Sequence, residues 1–229
     1  MGSWRTGGIV AVAVAVDMLL GARSARAHME FDLSVGYAHV ELDGSASPFD
    51  SRDGMRVEPR FSWAPGGDVT GSHLRLGASL AFSGFDRRTD DDDVFIDDDG
   101  DIFVVDSSDV ESLTLITPEF QVSYRLRFGG VDDPDRGRRG FFVEPGVGVG
   151  VAIGQYWVGD TFGWWVDTDI SEWDATIHGR PFLRGGYEWE HFVLGVEGSY
   201  LFGGSLDFTN QIEGDLSEWY VGVFFGGKW

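Results

Sequence analysis

Ionisable residues spaced two apart are the first places in this sequence where chemistry could sit. Arg56, Glu58 and Arg60 follow one another at that step, as do Arg125 and Arg127, with Arg75, Glu119, Glu144, His178, Arg180, Arg184, Glu188 and Glu197 placed on matching positions of other segments. Residues two apart share one face of a strand, so such spacing gathers acids and bases on a common surface. Gathered charges could form an ion path, a catalytic cluster or a set of mutually satisfied ion pairs. Ion pairs are expected, because charges in a narrow interior must find partners.

An acidic stretch is the second candidate: Asp90-Asp91-Asp92-Asp93, then Asp97-Asp98-Asp99-Gly100-Asp101, then Asp106 and Asp109. Calcium takes six to eight oxygens, which clustered carboxylates supply. Against the EF-hand pattern, Asp97, Asp99, Gly100, Ile102 and Asp106 fill the third, fifth, sixth, eighth and last places, but Phe95 stands where the first ligand belongs. The motif fails there. The stretch reads as a solvated acidic loop, with weak calcium or magnesium binding at Asp97, Asp99, Asp101 and Asp106 as its possible chemistry and no other cofactor expected.

Nucleophilic catalysis needs a serine or similar group beside a histidine. His28 lies at the terminus left by signal cleavage, His73 and His191 stand near turns, His178 shares the charged face, and no serine is placed on the face of His39. The chain is therefore read as not an enzyme. Gly146, Gly148 and Gly150 form no phosphate loop, since no helix follows them. The chain has no cysteine, which excludes disulfides and thiolate chemistry, and a formal charge of −21 argues against nucleic acid as a partner.

The elements that must position these residues are strands. Apolar residues recur at every second position in segments 29–37, 55–63, 74–82, 116–128, 141–153, 176–189, 192–202 and 219–229, and helical spacing is absent after the first segment. In 141–153 the oily face is Phe141, Val143, Pro145, Val147, Val149, Val151 and Ile153, opposite Glu144 and glycines. Small residues and paired charges on the second face suit the interior of a narrow barrel better than the wet face of a sandwich. Aromatic residues cluster at strand ends, as membrane girdles do. Long links (43–54, 86–111, 159–171, 203–217) alternate with short ones (64–70, 129–139, 190–191), the order expected of a barrel with both termini on one side of a membrane.

Before the strands, the run from Gly7 to Val16 is apolar, and Ala25-Arg26-Ala27 has small residues where a signal peptidase reads. Residues 1–27 read as a signal peptide and 28–229 as one all-β domain.

On this pattern of strands, and on the C-terminal run Trp219, Val221, Val223, Phe225, Gly227 and Trp229, the chain resembles the small outer-membrane β-barrel proteins of the OmpA and OmpX type. The resemblance implies a closed, antiparallel, up-and-down transmembrane barrel of about eight strands in a bacterial outer membrane. It also implies that the alternating aromatic C-terminus is read by the outer-membrane assembly machinery. The remaining expectations are lipid and lipopolysaccharide as partners, a polar, plugged lumen, acidic extracellular loops, and a structural or surface-interaction role. A secreted lipocalin-like binder and a lipid-modifying barrel enzyme are the alternatives. Mass spectrometry of the exported protein should find His28 as its first residue; retention of the preceding segment would make that segment an anchor.

Overall fold

The computed structural model describes residues 28–43, 51–65, 72–88, 93–96, 102–105, 110–133, 137–162, 165–209 and 212–229. Ten strands follow in chain order: β1 (His28–Asp43), β2 (Ser51–Ala64), β3 (His73–Arg88), β4 (Asp93–Ile96), β5 (Ile102–Val105), β6 (Val110–Asp133), β7 (Gly137–Phe162), β8 (Trp165–Glu188), β9 (Phe192–Thr209) and β10 (Ile212–Lys228). Eight of them close into one antiparallel barrel in the order β1, β10, β9, β8, β7, β6, β3, β2. β4 and β5 form a separate two-stranded sheet.

Closure lies between the first and last strands, whose pairing runs from Glu30↔Lys228 to Asp43↔Asp215. At the same seam the backbone N–H of Met29 donates to the carbonyl of Trp229, 3.0 Å away, and the reverse bond is also 3.0 Å. The C-terminal alternation therefore does structural work, because it is the strand that removes the last free edge. Gly36 opposes Gly222 across this seam, and a Cβ at Gly36 would meet the Val221 carbonyl oxygen. Only a residue without a side chain lets the two backbones approach there.

The alternation read from the sequence divides outside from inside. Outward residues are large and apolar, with Val149 and Val196 each 60% exposed and Ile177 77% exposed, while the charged positions between them are buried. This inverts the arrangement of a water-soluble fold, and it suits a surface that meets hydrocarbon.

Three features depart from the sequence reading. The stretch 86–111, read as a loop, contains the rest of β3 and the β4–β5 hairpin, and 159–171 and 203–217 are largely strand. These hairpins prolong the wall: β6, β7 and β8 have 24, 26 and 24 residues, far beyond the roughly 9–11 a tilted strand needs to cross a bilayer. The β7–β8 and β9–β10 extensions stand at the end opposite the termini, whereas 129–139, read as a short link, is also largely strand and prolongs β6 and β7 at the terminal end. The third departure is in the lumen, which is not polar throughout. Ala38, Val40, Leu42, Phe85, Leu113, Leu115, Ala152, Tyr156, Leu201, Leu206, Phe208, Leu216 and Tyr220 form a buried apolar layer across its outer end. Alternation says only which side chains point inward; their polarity changes along each strand.

Val149→Arg should cost roughly 2–4 kcal/mol, since charge placed mid-height on the outer wall has neither water nor a partner there. Refolding into lipid vesicles measures it, and wild-type stability would mean that this face meets water.

Candidate functional site: the charged lumen

Every strand of the barrel supplies at least one ionisable side chain to the interior, because the inward position of a strand recurs at each second residue. Arg56, Glu58, Arg60, Arg75, Glu119, Arg125, Glu144, His178, Arg180, Arg184, Glu188 and Glu197 are all buried inside, and Arg127 stands at the inner mouth with 19% of its side chain exposed. The structure adds Glu30, Asp32, Glu218 and Lys228 to the same set. Two-residue alternation in β1 and β10 places these inward too, so the signal for them was present in the sequence.

The charges fall into two groups. In the middle of the barrel, Arg180 Nη2 lies 2.7 Å from both Glu58 Oε1 and Glu119 Oε2, and its Nη1 is 3.2 Å from Glu197 Oε1. Arg60 Nη2 joins Glu58 at 2.8 Å and Glu197 at 2.9 Å, while Arg56 reaches Glu58 and Glu218 at 3.0 Å each. His178 Nε2 and Glu119 Oε1 share a hydrogen bond of 2.9 Å. Nearer the termini, Arg125 donates to Glu30 at 2.9 Å and to Glu144 at 2.6 Å, and Arg75 Nη1 reaches Glu30 at 3.2 Å. Glu188 gathers Arg125, Arg127 and Lys228 at 3.2, 2.5 and 3.6 Å.

Arg184 ties the two groups together. Its guanidinium is 2.8 Å from Asp32 and 3.3 Å from Glu197, and its carbon lies 3.8 Å from the centre of the Phe224 ring. Arg125 stacks in the same way over Phe142 at 4.1 Å. Such contacts return part of the solvation that burial removes. Among the described residues, eight carboxylates (Glu30, Asp32, Glu58, Glu119, Glu144, Glu188, Glu197, Glu218) share the network with eight cations (Arg56, Arg60, Arg75, Arg125, Arg127, Arg180, Arg184, Lys228). On the formal count that gives −21 for the chain, the eight acids and eight bases of the network cancel, and the excess negative charge lies elsewhere.

A balanced charged interior behind an apolar exterior is tolerable only where lipid surrounds the wall. The fold is that of an eight-stranded transmembrane barrel. His28 and Trp229 lie at one end of the barrel, and the buried apolar layer lies at the other.

No family model matches the chain, and no curated protein does. Solved structures do. The attachment invasion locus protein Ail of Yersinia pestis, solved with the heparin analogue sucrose octasulfate, is 12% identical over 89% of this chain and 99% of its own, at a TM-score of 0.40. Neisserial surface protein A is 10% identical over 90% of this chain and 98% of its own, at 0.44. The outer-membrane protease OmpT from Escherichia coli is 8% identical over 88% of this chain and 97% of its own, at 0.47. The likeness is one of fold. The last of the three corrects the reading that the chain is not an enzyme, because a protease stands among the barrels it matches and the fold does not exclude catalysis.

The outer rim bears on the same correction. His39 projects outward beside Trp219, with Nδ1 2.6 Å from Asp53 Oδ1 and Nε2 3.3 Å from Glu41 Oε1, and the Tyr37 hydroxyl donates to Asp53. Ser217 pairs with Glu41 on that same outward face, so a serine does share the face of His39. Both ring nitrogens of His39 already face carboxylates. Asp97, Asp99, Asp101 and Asp106 lie outside the described residues, and among the described residues no three histidine or acidic groups are placed to hold a metal ion.

Arg125→Met should destabilise the barrel by about 3–5 kcal/mol, because it leaves Glu30 and Glu144 buried with reduced compensation. A lowered heat-modification temperature on denaturing gels, relative to wild type, is the expected result.

Proposed function

We propose that this barrel is a non-conducting structural and surface-interaction protein: the lumen is plugged by its own ion pairs, and the acidic extracellular segments are the part that meets the outside. The observation that carries this reading is the balanced network. Arg56, Glu58, Arg125 and Arg180 are 0–1% exposed and hydrogen-bonded across the lumen, with Arg184 ion-paired to Asp32 beside them, which supports a lumen filled by side chains. An eight-stranded wall encloses a space just wide enough for side chains. Moving an ion through it would require several charge-assisted contacts to open together.

The excess negative charge then belongs to the rim and loops. Lipopolysaccharide is itself anionic, so an acidic surface engages it through bridging divalent cations, for which the aspartate stretch 90–109 supplies oxygen ligands. Residues 28–229 form the barrel in this reading, 1–27 its export signal, and the β10 ending the mark read by the assembly machinery. The outward apolar face counts against a soluble lipocalin-like binder, whose oily side would turn inward.

Planar-bilayer recording tests the plug. The wild-type protein should give no discrete conductance steps, whereas steady single-channel openings would overturn the reading.

A further inference from the structure

On the outside of the barrel, at the end opposite the termini, the apolar face stops and a group of reactive side chains begins. Along β1, β2 and β10 the last outward apolar residues are Tyr37, Met55 and Trp219, and the next outward positions hold His39 and Glu41, Asp53, and Ser217. Aromatic residues mark the level where hydrocarbon meets headgroup, which is also where the ester carbonyls of a lipid lie. The group therefore stands at ester depth and faces lipid, away from the lumen.

Pairing across two seams assembles it. Asp53 stands directly opposite His39, and its Oδ1 is 2.6 Å from the ring Nδ1. Hydrogen bonds from the Tyr37 hydroxyl and from His39 hold the Asp53 carboxyl below its usual range, so it accepts the Nδ1 proton and the lone pair of the neutral ring falls on Nε2. Across the other seam Trp219 lies opposite His39, with ring centres 5.5 Å apart, and Ser217 lies opposite Glu41, one diagonal step from His39. Diagonal neighbours on one face of a sheet are within reach of a long side chain. Ser217 also borders the irregularity in β9–β10 pairing, where Gly203-Gly204 of β9 face Leu216 and the inward side chains of β9 change from odd positions (Glu197, Leu201) to even ones (Leu206, Phe208). Such bulges re-aim side chains and recur beside active sites. Glu41 Oε1 lies 3.3 Å from Nε2, and its side chain is 54% exposed, so it can turn away to solvent.

We propose that Ser217, His39 and Asp53 form an acyl-ester hydrolase site on the lipid-facing rim, acting on a membrane lipid whose ester carbonyl lies at that depth. Ser217 Oγ attacks the carbonyl carbon as its proton passes to His39 Nε2. The bond between that carbon and the headgroup oxygen then breaks, and the leaving oxygen takes the proton from His39. Water, deprotonated by the same nitrogen, attacks the acyl-serine, and the fatty acid leaves as Ser217 recovers its proton. Asp53 is a positioning residue, which holds the ring tautomer and offsets the charge that forms on it. Glu41 covers Nε2 at rest and must turn away before that nitrogen takes a proton. The lumen has no part in this chemistry, so the activity and the structural role stand or fall separately.

A fluorophosphonate probe, which bonds to an activated serine oxygen, tests the site on the exported protein in phospholipid nanodiscs. Mass spectrometry should find the adduct on Ser217, and its rate of formation should fall at least about a hundredfold in His39→Gln. Labelling no faster than at Ser205, an exposed rim serine that donates to Asp215 at 2.7 Å, would overturn the site. Free fatty acid should be released from the phospholipid, or only once lipopolysaccharide is added, which identifies the lipid. Release from neither, or undiminished release in Ser217→Ala, would overturn the activity. Asp53→Asn should lower kcat by a similar factor and shift the pH profile, and an unshifted profile would remove its positioning role. Glu41→Gln should raise the rate, whereas a loss would mean that Glu41 and not His39 takes the proton. His39→Asn replaces His39→Gln if that variant loses heat-modifiable migration.

Discussion

Backbone hydrogen bonding in hydrocarbon governs this structure. Lipid offers no partner to an unpaired N–H or C=O, so a sheet can span only if its first strand meets its last. The β1–β10 seam supplies that meeting from Glu30↔Lys228 to Asp43↔Asp215. Gly36 and Gly222 face each other within it, where side chains would hold the two backbones apart. Once the ring is closed, each strand has an inside and an outside, and the solvent of each is fixed.

Closure also decides what the interior charges can do. Eight strands leave a narrow lumen, and an ion taken out of water there costs several kcal/mol unless it is paired and hydrogen-bonded. Here every carboxylate of the network has a cationic neighbour from another strand, and the guanidiniums of Arg125 and Arg184 lie over aromatic faces as well. Such a network adds specificity of register more than raw stability, because a strand slipped by one residue would turn its charges toward lipid. Arg184 is the member through which the two charge groups depend on one another, since it approaches Asp32, Glu197 and Glu144 together.

Above the network the chemistry changes. The end of the lumen opposite the termini is filled by apolar side chains such as Leu113, Phe85 and Ala152, which exclude water from the buried charges on that side and strengthen their attraction. At the opposite mouth Arg127 and Lys228 keep partial contact with solvent. The interior is thus polarised from end to end.

The sequence by itself determined the eight strand segments and the inward set from Arg56 to Glu197, because each follows from a period of two, and that period is local; closure was implied only by the resemblance and is decided by the β1–β10 pairing. The same rule reached Glu30, Asp32, Glu218 and Lys228, though recognising them as network members needs their partners, which lie on distant strands. What only the tertiary structure decided was non-local: which carboxylate meets which arginine, the balance of charge across the lumen, and the extension of the long links into wall. The face change at Gly203-Gly204 was hidden for a physical reason. A bulge inserts one residue into the alternation, and two glycines with no side chain to place give no sign of the shift. The site of His39 shows the same limit, since Asp53 and Ser217 reach its face through pairing across two seams and not through spacing along the chain.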